Sequence, residues 1–167
     1  MDEQRVLSQV SEVIDTFNNL EMQVSMTLAK CLVPVNSEYG FLQELVFHNT
    51  ILSFGAKVQL IERILEYWSW KDLRKQTGKF KELMKIRNAF AHTPTAKRQL
   101  LIYYSPDNEF GTPLGSEFVV EKKSASSWEN VERSEAFNAF KELYKKCFDI
   151  LNEIYKKIEE NLAQQQL

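Results

Sequence analysis

Between residues 2 and 32 the apolar side chains Val6, Val10, Val13, Ile14, Phe17, Leu20, Val24, Leu28 and Cys31 return every three or four positions. That spacing gathers them along one side of an α-helix and excludes a strand, whose faces alternate at every second residue. The other end of the chain repeats the pattern, with Phe137, Phe140, Tyr144, Cys147, Leu151, Ile154 and Ile158 spaced three and four apart. Two long amphipathic helices each need a partner surface for their stripes, so the chain must build helix-on-helix layers. Its 167 residues are enough for one domain, which at this size buries about 68–70% of the surface the unfolded chain exposes.

Pro34 ends the first helix, because a ring nitrogen cannot continue the backbone ladder. Phe41, Leu42, Leu45, Val46 and Phe47 fit a short helix, with His48-Asn49-Thr50 as a turn after it. Ser53 is placed to cap a helix whose stripe is Val58, Ile61, Ile64 and Leu65, ending at Tyr67 or Trp68. The next stripe, Leu73, Phe80, Leu83, Met84, Phe90 and Ala91, is interrupted near Gly78 and must stop by Thr93, since Pro94 disfavours helical geometry before it. Residues 99–104 and 117–121 are β-rich runs separated by a loop of turn-forming residues, and they predict a hairpin. The expected fold is mainly α: an antiparallel helical bundle of four to five helices with a small inserted β-hairpin at about 99–121, in one domain spanning 1–167.

No run approaches the roughly 20 consecutive apolar residues of a membrane span, and Met1-Asp2-Glu3-Gln4-Arg5 is too polar to open a signal peptide. The expectation is a cytoplasmic protein without membrane contact. Cys31 and Cys147 both lie in helical apolar patterns and are expected to be buried, reduced thiols. No cysteine and histidine spacing suits zinc, and neither His48 nor His92 has a glutamate three positions earlier, as a di-metal helical bundle requires. No metal or cofactor is expected. Net charge is −2, yet residues 71–98 hold nine basic side chains against two acidic ones, a local +7 in a chain that is −9 elsewhere. Such a patch suits a phosphate-bearing ligand. A sequence-specific DNA reader fits poorly, since no helix-turn-helix spacing stands out.

Arg87 falls three and four residues from Met84 and Leu83 on one side and from Phe90 and Ala91 on the other, placing a charge near the middle of the stripe. A guanidinium there needs a carboxylate, a polar cavity or an interface. Asn88 and His92 are four apart and share a face, whereas Arg87 and His92 differ by about 140° around the helix axis. His92 occupies the last turn, where the helix dipole favours the imidazolium. Arginine for phosphate charge, asparagine for a hydrogen bond and histidine for a proton make a set suited to phosphodiester chemistry. A coiled-coil-like adaptor would explain the long helices and leave Arg87 unexplained.

Leu83-Met84-Lys85-Ile86-Arg87-Asn88-Ala89-Phe90-Ala91-His92, with Leu52-Ser53-Phe54-Gly55-Ala56-Lys57-Val58 upstream, resembles the HEPN superfamily. Its helical domains carry an arginine, four to six residues and a histidine near a helix end, commonly with a polar residue directly after the arginine. These strings are similar to the branch that includes mannitol operon repressor-like proteins. The resemblance implies a metal-independent endoribonuclease working as a homodimer, with Arg87, Asn88 and His92 as catalytic residues. Lys75, Lys79, Lys85, Lys97 and Arg98 are then the expected RNA-binding side chains. By association it also implies a toxin or phage-defence role restrained by an inhibitor or antitoxin protein. The alternative within the same superfamily is a non-catalytic regulatory or protein-binding module.

Overall fold

The computed structural model describes residues 3–33, 41–42, 46–48, 51–92, 97–105, 108–123 and 128–165. The chain is mainly α with inserted antiparallel strands, as expected. Its elements run α1 (Glu3–Leu32), α2 (Phe54–Tyr67), α3 (Lys71–Gln76), α4 (Gly78–His92), β1 (Lys97–Ser105), β2 (Asn108–Lys123), β3 (Trp128–Glu132) and α5 (Arg133–Gln165).

Helix limits follow local chemistry. Helix α1 stops at Leu32, ahead of Pro34, and α4 stops at His92, ahead of Pro94. Ser53 caps α2 by accepting a hydrogen bond from the Ala56 amide (3.3 Å). The interruption expected near Gly78 is a break at Thr77, which separates the six-residue α3 from α4. The short helix expected at 41–47 lies partly outside the described residues. Within it, the Phe47 amide reaches the Leu42 carbonyl five residues back (2.9 Å), a π-type turn. Of the turn expected at 48–50, Asn49 and Thr50 lie outside the described residues, while the His48 carbonyl accepts from the Ile51 and Leu52 amides (2.9 and 3.0 Å).

The inserted hairpin is larger than expected. Lys97 pairs with Phe118 and Ser105 with Asn108, so β1 and β2 pass the limits at 99 and 121 by two residues each and extend into the loop expected between them, with register shifts along the ladder. A third strand extends the sheet in the order β1-β2-β3, with Val119 opposite Glu132 and Val120 opposite Val131. The short run Trp-Glu-Asn-Val-Glu has little alternation of its own, and its backbone ladder to β2 makes it a strand.

Contacts divide the chain into two compact units. The first comprises Met1–Asp15 and Met84–Lys141. Its core includes Val6, Val13, Phe90, Val119, Val120, Phe137 and Phe140. The second comprises Thr16–Leu83 and Glu142–Leu167. Its core includes Phe17, Leu20, Val24 and Leu28 of α1, Val58, Ile61 and Leu65 of α2, and Ile150, Leu151 and Ile154 of α5. Phe54 bridges Phe17 and Phe80, with ring centroids 4.6 and 6.3 Å away. This second core also encloses a charge pair: Lys57 Nζ donates to Glu21 Oε1 at 3.3 Å, with side-chain exposures of 0% and 10%. Among the described residues, no helix is long and apolar enough to cross a membrane.

Candidate functional site

Helix α4 buries Phe80, Leu83, Ile86, Ala89 and Phe90 and leaves Met84, Arg87, Asn88 and Ala91 half-buried. The buried stripe is therefore turned toward Ile86 and Ala89 relative to the sequence expectation, and Arg87 stands at its edge instead of its middle. From that edge Arg87 Nη1 donates to Asn88 Oδ1 at 3.1 Å. His92, the last helical residue, is exposed. Of the expected catalytic set, the fold thus couples Arg87 to Asn88 and places His92 one turn beyond Asn88 on the same face.

The motif's support comes from a residue that the sequence reading did not select. Arg133 opens α5 and is fully buried. Its Nε donates to Gln9 Oε1 (3.2 Å) and its Nη2 to the Val6 carbonyl (3.2 Å), which ties it to α1. Its guanidinium carbon lies 4.7 Å from the centre of the Phe90 ring, and Phe90 also meets Phe137 at 6.3 Å. Burial pulls the Arg133 pKa below its ordinary value, although an arginine keeps its charge. The sequence did carry one signal: a cation at a helix N-terminus opposes the helix dipole, so tertiary contacts must hold it there.

On the flank of α4 away from Asn88, a cavity of about 230 Å³ is lined mainly by Ile86, Ala89, Val120, Val131 and Ala136, with Glu135 its one charged group.

The expected RNA-binding cations are divided between the two units. Lys75 is exposed on α3, 3.5 Å from Asp72 Oδ1, and Lys79 is half-buried with Nζ donating to Gln76 Oε1 at 3.4 Å. Both belong to the second unit, whereas Lys85, Lys97 and Arg98 belong to the first. Lys85 is exposed on α4. Lys97 and Arg98 are paired through their backbones in β1, and their side chains lie outside what the structure describes.

Both cysteines are free, with Cys147 buried and Cys31 half-buried. Burial pushes each thiol up to about 12, so neither is a nucleophile at neutral pH.

Compared with protein-family models, with curated proteins and with solved structures, the chain has no match.

Proposed function

We propose that the chain is a HEPN-type, metal-independent endoribonuclease that acts as a homodimer. The observation that carries the reading is the Arg87–Asn88 hydrogen bond near the C-terminal end of α4, with the exposed His92 one turn further on. In the proposed reaction a ribose 2′-hydroxyl attacks the adjacent phosphorus and the P–O5′ bond breaks. A cyclic phosphate stays on one fragment and a 5′-hydroxyl on the other. His92 transfers the proton, Arg87 stabilises charge on the phosphoryl oxygens, and Asn88 fixes Arg87 and the phosphate. The exposure of His92 suits a site completed by a second copy, where two motif ends face one another. A toxin or defence role held in check by an inhibitor protein accompanies this reading.

The second reading, a non-catalytic regulatory module, is favoured by the same exposure, since among the described residues no hydrogen-bond partner directs the proton of His92. One assay separates the two. Purified protein is incubated with labelled RNA in EDTA and its oligomeric state is measured in parallel. The nuclease reading expects 5′-hydroxyl products that disappear in His92→Ala. A verified dimer that leaves several RNAs intact refutes it.

A further inference from the structure

An open cleft of about 450 Å³ in the second unit is lined by Glu62, Lys71, Arg74, Lys75, Thr77 and Gly78. Its acidic group is already engaged. Glu62 Oε1 accepts from Lys81 Nζ at 2.9 Å and from the Thr77 hydroxyl at 3.0 Å. Burial pushes the Glu62 carboxyl up, but those hydrogen bonds and the charges of Lys81 and Arg74 outweigh it and hold the group below its ordinary range. The cations are more open. Arg74 meets Glu66 at 3.2 Å and Lys75 meets Asp72 at 3.5 Å, both as exposed pairs that a phosphate can displace at little cost. Lys71 has no ion pair among the described residues.

Aromatic rings cluster at the corner between α2 and α3, immediately ahead of Lys71 in the chain. Tyr67, the last residue of α2, is 86% exposed. Ser69 turns the chain with φ of 61°, and Trp68 and Trp70 pack on each other at 4.7 Å on either side of it. Lys157 Nζ sits 5.5 Å from the centre of the Trp70 ring. An exposed ring four residues ahead of a row of cations supplies the two elements that hold unpaired bases and their phosphates.

We propose that this cleft and corner bind a single-stranded polynucleotide, with phosphates on Lys71, Arg74 and Lys75 and a base stacked on Tyr67. The inference deepens the nuclease reading by naming where a strand is held, but it uses none of the motif residues and does not depend on cleavage. Gly78 supplies the test. A Cβ built there meets nothing within 4 Å, so Gly78→Glu sets a carboxylate at the cleft with the backbone intact, and Gly78→Ser is its uncharged control.

Binding of short labelled single-stranded RNA and DNA is measured by fluorescence anisotropy across a salt series, with inorganic phosphate as competitor. Gly78→Glu is expected to weaken binding at least about tenfold through like-charge repulsion, with Gly78→Ser unchanged. Tyr67→Ala is expected to weaken it about fivefold to a hundredfold through lost stacking. Lys71→Ala should flatten the slope of log affinity against log salt by about 0.7. RNA-only binding and equal binding of RNA and DNA both support the proposal, and they identify which strand is taken. Equal affinity and slope in wild type and Gly78→Glu overturn it, as does inorganic phosphate competing as well as the polynucleotide. Cleavage lost in His92→Ala with binding retained separates the two readings: a chain that binds without cutting refutes only the nuclease, and a chain that cuts with Gly78→Glu binding unchanged refutes only the cleft.

Discussion

Replacing Lys57 with methionine removes one half of the enclosed pair in the second core and strands the Glu21 carboxylate. At 3.3 Å and an effective dielectric of about 20, the lost attraction is about 5 kcal/mol before the recovered desolvation of Lys57 is set against it. The desolvation that Lys57 recovers offsets part of that loss. Lys57→Met is therefore expected to destabilise the fold by about 3–5 kcal/mol, the range for breaking buried pairs. Adding Glu21→Leu removes the stranded charge, so the double variant should recover most of the loss. Urea denaturation followed by far-ultraviolet circular dichroism reads both, and the single variant's midpoint should fall by more than about 1 M. A single variant within about 1 kcal/mol of wild type, or a double variant no better than the single, would refute the claim that burial makes this pair matter.

Ser69, a non-glycine residue at φ of 61°, is strained, so Ser69→Gly should raise stability by up to about 1 kcal/mol and Ser69→Val lower it by about as much, read as midpoint shifts. With folded thiols at about 12 against an ordinary 9.0, the unfolded chain loses its thiol protons first. Their contribution to stability is therefore complete below pH 9 and falls between 9 and 12. A thiol reagent at neutral pH should accordingly label both thiols slowly until denaturant is added, Cys147 more slowly than half-buried Cys31, and rapid native labelling of Cys147 would contradict its burial. Arg133→Met should destabilise the first unit by about 2–4 kcal/mol, since it orphans the Gln9 and Val6 acceptors and uncovers Phe90. Arg133→Lys should not restore it, because one ammonium cannot reproduce the planar fork. Full recovery in Arg133→Lys, by thermal melt, would show that charge alone suffices there.

Periodicity along the chain was enough to find the helices and some of their ends: Leu32 before Pro34, the Ser53 cap and His92 before Pro94 each follow from one residue's local chemistry. It was not enough for β3, whose strand character comes from its ladder to residues 119–123. The same distinction bears on the site. Arg87 drew attention as a charge on an apolar stripe, yet Glu21 beside Leu20 and Val24, and Lys57 four residues before Ile61, also lie on buried stripes. Those two face each other, a pairing 36 residues apart in the chain that no local pattern could disclose. Arg87 bonds the carboxamide next to it, at the edge of its stripe. A charge on a stripe is thus no mark of function by itself, because folding can spend it on a partner from another helix. What sets Arg87 apart is the company of Asn88 and His92 on the last turns of α4, and a nuclease reading must stand on those three groups together.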